Sequence, residues 1–141
     1  MRAEIKKSSE ATEFPTKERC HITEIANDSG DEYVSIARAK VEPGVTTAWH
    51  KLKGVNERYI LVSGHGRVEI NDLDPIDVCE GDVVRLPAGT AQRISNTGHT
   101  DLIFYAVCSP PFQNECYVSL EQGFESPNMD KRERPSNGKK L

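Results

Sequence analysis

Short stretches of strand-forming residues separated by turn residues are the feature that most constrains the fold of this chain. They recur from Cys20 to about Glu121, and helical periodicity is absent across the region. Glu42-Pro43-Gly44 is a typical turn, because proline presets φ and glycine tolerates positive φ. The pattern predicts an all-β sandwich or barrel.

The predicted strands and boundaries follow from these turns. Residues 1–18 are polar and form an N-terminal extension, residues 19–122 form the barrel, and residues 123–141 form a polar, flexible tail. The predicted strands are 21–26, 33–41, 46–50, 58–62, 67–70, 76–79, 82–86, 91–95 and 102–108, with 116–120 as a further one.

Composition limits the partners that we expect. The 141 residues contain 36% hydrophobic and 28% charged residues, as in a soluble single domain, and the net charge is −4. A net negative charge does not favour nucleic acid or an anionic membrane. No apolar stretch is long enough to cross a bilayer, and the charged N-terminus has no apolar signal core, so we expect a cytoplasmic location.

Two clusters of glycine, proline and polar residues have a distinctive spacing. The first runs Gly44, five residues, His50, one residue, Leu52, four residues, Glu57, six residues, Gly64. After sixteen further residues comes the second cluster, composed of Gly81, Pro87, Gly89, Gln92 and Asn96. This paired spacing, from about residue 42 to 107, closely resembles the two sequence motifs of the cupin family.

The resemblance implies a fold and a metal site. Cupins form a double-stranded β-helix, or jelly-roll barrel, in which four side chains usually bind one divalent metal. Here His50 and Glu57 match the family pattern, whereas Leu52 and Gln92 stand where histidines are usual. The implied site has three ligands, His50, Glu57 and the Gln92 amide oxygen, for iron, manganese, nickel or zinc. Alternatively, the three side chains form a metal-free polar cluster.

Strand alternation predicts which other side chains line the pocket. Trp49, Arg58 and Arg93 are expected to point away from it. The side chains expected to line it are Thr46, Ala48, His50, Leu52 and Tyr117.

Three functions are compatible with this site, and whether the protein is an enzyme stays open. We favour a metal-dependent oxygenase, decarboxylase, lyase or isomerase that acts on a small oxygenated substrate. The second is a metal-free isomerase or epimerase with His50 as base, Glu57 setting its tautomer, and a tyrosine as acid. The sequence does not place a tyrosine against His50. The third is a non-catalytic ligand-binding or sensor protein.

Two features outside the motifs carry further expectations. Residues 102–108 are apolar on both faces of the predicted strand, so a second layer must cover them. Cupins commonly dimerise by packing or exchanging strands, so the resemblance implies a homodimer. The four cysteines form no CxxC pair and are expected to be small buried hydrophobic residues, with Cys108 or Cys116 the better candidates for a reactive thiol.

Overall fold

The computed structural model describes residues 1–121 and is all-β apart from two short 3₁₀ turns. The predicted tail at 123–141 lies outside these residues. The strands are β1 (Glu13–Pro15), β2 (His21–Ala26), β3 (Ser35–Val41), β4 (His50–Leu52), β5 (Asn56–Ser63), β6 (His65–Ile70), β7 (Ile76–Cys79), β8 (Val83–Leu86), β9 (Gln92–Asn96), β10 (Leu102–Ser109) and β11 (Tyr117–Ser119).

The strands form two antiparallel sheets. The larger has the order β1-β2-β3-β10-β5-β8, and the smaller has the order β11-β4-β9-β6-β7. Consecutive strands β5 and β6 lie in different sheets, as do β8 and β9, so the chain winds between the two layers. This is the double-stranded β-helix, and the predicted fold class is confirmed.

Alternating burial along the strands builds the core between the sheets. In β10 every second side chain is buried, and Phe104 and its neighbours on that face are at most 1% exposed. In β3, Ala39 lies opposite Phe104 in register, so the small residue leaves room for the large one. The inner faces of both sheets are thereby packed together.

Gly64 allows the chain to pass from the first sheet to the second. Its φ is +93°, and a Cβ atom there would lie 2.8 Å from the carbonyl oxygen of Asp101. Only glycine fits both the backbone conformation and the close approach. The turn that ends the first motif therefore requires glycine on steric grounds.

The structure differs from the predicted strands at two places that affect the site. β1 precedes the predicted boundary at residue 19, pairs with β2, and contributes the buried Phe14 to the core. β4 begins at His50, so the predicted strand 46–50 is instead an irregular segment, in which Thr46 forms only an isolated bridge with Ser95. Side-chain alternation cannot be extrapolated through that segment.

Asn96 closes the loop between β9 and β10. Its Nδ2 donates hydrogen bonds to the carbonyl oxygens of Val41 and Thr100, both at 2.8 Å, and its Oδ1 accepts one from the Gly98 amide at 2.9 Å. The side chain is 3% exposed, so its partners have little water to replace it. Asn96 therefore has a structural role in closing this loop.

We therefore expect Asn96→Ala to lower the free energy of unfolding by about 2–3 kcal/mol, because it leaves buried backbone groups without partners. Urea denaturation measures the change. Thr97→Ala, at the exposed neighbouring position, is the control and should change stability by less than about 0.5 kcal/mol. Equal losses in the two variants would show that the Asn96 hydrogen bonds are dispensable.

Candidate functional site

The first two site residues are neighbours on adjacent strands of the smaller sheet. His50 begins β4 and lies directly opposite Gln92, which begins β9. Both side chains point into the barrel and are 3% and 2% exposed. The pairing explains how two residues 42 positions apart in the sequence reach one place.

The larger sheet supplies the residues that face them. β5 brings Glu57 and, two positions later on the same face, Tyr59 into the interior. The Tyr59 hydroxyl donates to Oε1 of Gln92 at 2.5 Å, and Nε2 of Gln92 donates to Oε1 of Glu57 at 2.9 Å. A continuous hydrogen-bond chain from Tyr59 through Gln92 to Glu57 thus connects the two sheets.

A hydrogen bond and a stacked aromatic ring help to orient the His50 imidazole. Its Nδ1 lies 2.8 Å from the carbonyl oxygen of Ala48, which can only accept, so Nδ1 carries the proton. In the neutral ring the lone pair is then on Nε2. Tyr117 of β11 stacks on the imidazole, with ring centroids 4.9 Å apart and an interplanar angle of 17°.

Burial dominates the electrostatics of Glu57. The pKa of its carboxyl is raised from 4.5 to about 7. Desolvation by burial is the largest cause and the negative charge of Glu18 adds to it, while the hydrogen bonds from Gln92 and Cys108 lower the pKa. The carboxyl therefore holds a proton at a higher pH than an ordinary glutamate. It is suited to exchange protons near neutrality.

Burial also affects the two neighbouring acids of the site. It raises the pKa of Tyr59 well above the usual value, with the negative charge of Glu57 adding to the effect. Burial likewise raises the pKa of Cys108, whose thiol lies 3.8 Å from Oε2 of Glu57. The Cys108 thiol stays protonated at neutral pH, which does not favour the reactive thiol considered for this position.

The expected pocket residues fall into two groups. Ala48, Leu52 and Tyr117 are buried with His50, at 0–2% exposure. Thr46 is half-buried on the outer side, where its hydroxyl lies 2.7 Å from that of Ser95. There it lines an open groove of about 760 Å³ together with Arg19 and Arg93. The expected inward direction of Thr46 is corrected, because regular alternation begins only at His50.

The residues expected to point outward do so. Arg93 forms a two-point ion pair with Glu69 and lies over the Trp49 ring, 5.1 Å from its centroid. Arg58 donates to the Ser109 hydroxyl. Because β5 and β9 are regular strands, their alternation is predictable from the sequence.

Two functional-site residues were missing from the sequence prediction. Tyr59 is two positions after Glu57 on a strand, so the same parity rule could have placed it in the pocket. Glu18 lies in the loop between β1 and β2 and is 2% exposed. No motif or periodicity marks it, since its inward direction depends on how that loop packs on the barrel.

The donor set does not fit a divalent metal well. Residues 1–121 contain no group of three or more His, Cys, Asp or Glu side chains placed to hold a metal ion. Within the expected trio, the Gln92 amide is engaged at both ends, by Tyr59 and by Glu57. Metal sites need several side chains whose lone pairs are available to the ion. Glu57 and Gln92 are instead hydrogen-bonded to each other, and His50 is bonded to the Ala48 carbonyl.

Comparison with known proteins identifies the family. A family model described as "Cupin domain" matches residues 37–108, and the chain belongs to this family. An uncharacterized protein of Methanocaldococcus jannaschii is 31% identical over 87 residues, which cover 62% of this chain and 69% of that protein.

Two further relatives carry names that refer to oxalate. An oxalate-binding protein of Thermotoga maritima is 39% identical over 71 residues, which cover 50% of this chain and 58% of that protein. The crystal structure of a predicted oxalate decarboxylase from the same organism has a TM-score of 0.68 at 28% identity, and the match covers 76% of this chain and 99% of that one.

The described residues include no helix that is both long and apolar enough to cross a membrane.

The raised pKa of Glu57 makes the free energy of unfolding depend on pH. The folded protein holds this proton more tightly than the unfolded chain, so the contribution is complete below about pH 4.5 and is lost as the pH rises through about 7. The loss amounts to about 3 kcal/mol. Glu57→Gln, which is uncharged at every pH, should remove this part of the pH dependence in urea denaturation.

Glu115→Gln is the control for this comparison, because Glu115 is exposed. It should leave the stability profile between pH 4.5 and 8 unchanged. Parallel profiles for the wild type and Glu57→Gln would contradict a raised pKa at Glu57.

Proposed function

We propose that this cupin binds a small oxygenated molecule at His50 and isomerises it by proton transfer between protein groups. Support comes from one observation above all. The hydrogen-bond chain from Tyr59 through Gln92 fixes Glu57 in the interior, while the Ala48 carbonyl fixes the His50 tautomer. A base and an acid are thereby held in place by partners that do not touch substrate.

Each group has a defined role in this proposal. Nε2 of His50 takes a proton from a carbon next to a carbonyl group, and the protonated carboxyl of Glu57 delivers one to the carbonyl oxygen. The protonated His50 then returns its proton to the former carbonyl carbon, while the ionised Glu57 takes the proton from the hydroxyl group on the carbon that was first deprotonated. Both protein groups regain their starting states, and the composition and overall oxidation state of the molecule do not change. Gln92 and Tyr59 are positioning residues, and Leu52 and Tyr117 supply apolar walls beside the imidazole.

Proton abstraction predicts exchange of substrate hydrogen with solvent. We expect a panel of small hydroxycarbonyl compounds in D₂O to contain members that lose a C–H signal in proton NMR spectra when the protein is added. His50→Gln should slow that exchange by about 10²–10⁴-fold, the usual contribution of a general base. His65→Gln alters an exposed histidine at the start of β6 and should leave the rate unchanged. Equal rates in the two variants would contradict the role of His50.

Removing metal distinguishes the metal-dependent alternative from proton transfer by protein groups alone. If iron, manganese, nickel or zinc takes part, chelation followed by dialysis should abolish the exchange, and supplementation should restore it. If protein groups alone act, the exchange rate is unchanged. We also expect less than about 0.1 equivalent of any of these metals to remain on the supplemented protein, since the Gln92 amide is already engaged. Stoichiometric metal would support the three-ligand site instead.

A second proposal concerns the homodimer. The outer face of the larger sheet carries Ile60 and Val83, which lie opposite each other in β5 and β8 and are 42% and 58% exposed. Tyr105 of β10 is the next residue across the sheet from Ile60 and is half-buried. An apolar sheet face of this kind is typical of an interface.

Light scattering tests this proposal. We expect twice the 15.7 kDa mass of the chain for the wild type, and a monomer for Val83→Lys, because burying an unpaired ammonium in an interface is unfavourable. Ile76→Lys, at a 60% exposed position in β7 of the other sheet, should remain a dimer. A monomeric wild type at micromolar concentration would overturn the proposal.

A further inference from the structure

Two arginines lie directly opposite each other on the outer face of the larger sheet, Arg58 of β5 and Arg85 of β8. Directly opposite residues of an antiparallel pair have Cβ atoms about 4.5–5.5 Å apart, and like charges at such positions are destabilising. Within residues 1–121 no carboxylate forms an ion pair with either guanidinium. The described part of the chain therefore places two positive charges together without a bonded counter-charge.

A groove at this corner of the sheet gives a ligand access to both side chains. β8 is the edge strand of the larger sheet, and Arg85 is exposed while Arg58 is half-buried. The groove has a volume of about 460 Å³, within the range of small-molecule sites. Its lining residues are Asn56, Glu57, Arg58, Arg85, Leu86 and Pro87.

The polar groups on this face are mainly hydrogen-bond donors. Nη1 of Arg58 donates to the Ser109 hydroxyl at 2.8 Å, and the other N–H groups of both arginines have no acceptor among residues 1–121. Ser109 lies opposite Asn56 in register, and its hydroxyl proton is available to donate. Oδ1 of Asn56 accepts from the Ala88 amide at 2.9 Å, so its amino group is also left to donate.

The acid among the lining residues, Glu57, is directed to the other face of β5. Its side chain is 1% exposed, and Oε1 accepts from Nε2 of Gln92 at 2.9 Å inside the barrel. With a pKa of about 7, its carboxyl is also partly uncharged near neutral pH. Glu57 therefore does not take the place of a surface counter-ion for the two guanidiniums.

A phosphate monoester matches this set of donors in charge and in number of acceptors. Its phosphoryl group carries about −1.5 to −2 charges at pH 7 and has three strong acceptor oxygens. A carboxylate brings one negative charge and two oxygens. Hydrogen bonds between ionised partners are roughly twice as strong as those between neutral groups, so an uncharged hydroxyl compound is a weaker fit.

We propose that Arg58 and Arg85 form a binding site, on the outside of the barrel, for the phosphate group of a small phosphorylated molecule. The amino group of Asn56 and the hydroxyl of Ser109 supply further hydrogen bonds. The bound dianion offsets the repulsion between the two guanidiniums. This site is separate from the interior cluster around His50 and does not depend on the isomerisation proposed above.

Inorganic phosphate tests the site directly. It is titrated into the full-length protein at pH 7.5, and the Nε–H signals of the arginines are followed by NMR. We expect the signals of Arg58 and Arg85 to shift with a dissociation constant of about 1 mM or lower. Acetate, a monoanion, should bind at least about tenfold more weakly.

A matched pair of variants tests the residues. Arg85→Gln should weaken phosphate binding at least about tenfold, because it removes one of the two guanidiniums. Arg38→Gln makes the same change in net charge at a half-buried arginine of β3, three strands away in the same sheet. It should leave the affinity within about twofold of the wild-type value.

Glycerol and glycerol 3-phosphate test the class of ligand. We expect glycerol 3-phosphate to bind at least as tightly as inorganic phosphate, and glycerol to cause no shift. If inorganic phosphate binds and glycerol 3-phosphate does not, the site takes only the free ion and the assignment to a phosphorylated molecule is wrong.

Thermal unfolding gives a second readout that does not need resolved arginine signals. Phosphate at about 10 mM should raise the Tm of the wild type by about 3–6 °C more than sodium chloride of equal ionic strength. Arg85→Gln should lose this excess. Without phosphate it should be at least as stable as the wild type, because one of two like charges is removed.

Three results would overturn the proposal. Equal shifts in phosphate and in sodium chloride of the same ionic strength would show screening alone. Equal phosphate affinity of Arg85→Gln and Arg38→Gln would place the ion elsewhere. The Ile60–Val83 pair is the next outward-facing pair along β5 and β8. Absence of phosphate binding, with a change of mass in Arg85→Gln by light scattering, would therefore assign the arginines to the dimer interface.

Discussion

The hydrogen-bond chain from Tyr59 through Gln92 to Glu57 is the interaction on which the interior depends. It crosses from one sheet to the other and gives a fully buried carboxyl a partner in a space otherwise packed with apolar side chains. A buried polar group without a partner would cost free energy comparable to a whole hydrogen bond or more. This hydrogen-bond chain therefore stabilises the arrangement of the two sheets and also fixes Glu57, the acid of the candidate site.

Leu52 and Gln92, which depart from the usual cupin pattern, both fit an interior of this kind. Leu52 is 2% exposed and packs in the core, on the face that it shares with His50. Gln92 uses both ends of its amide, donating to Glu57 and accepting from Tyr59. The two substitutions thus favour a cluster in which protein groups satisfy one another. They leave His50 as the only imidazole of this cluster.

The N-terminal segment takes part in the site more than its composition indicates. β1 adds a strand to the larger sheet, and the loop after it delivers Glu18 to the interior and bonds to Ala48. On the outer side, Arg19 donates to the Thr46 carbonyl and pairs with Glu121, whose carboxylate also accepts from the Trp49 amide. The irregular segment before β4 is therefore bonded both to Arg19 of the β1–β2 loop and to Glu121.

The sequence by itself determined the fold class, the family and the core of the site. Turn glycines and prolines at fixed spacing fix where strands end, and parity along regular strands places Glu57 and Gln92 inside and Arg58 and Arg93 outside. Only the tertiary structure decided the direction of Thr46, the stacking of Tyr117 on His50 and the burial of Glu18. The direction of Thr46 depends on an irregular segment, the stacking of Tyr117 on strand pairing, and the burial of Glu18 on how a loop packs. None of these produces a periodic pattern in the sequence.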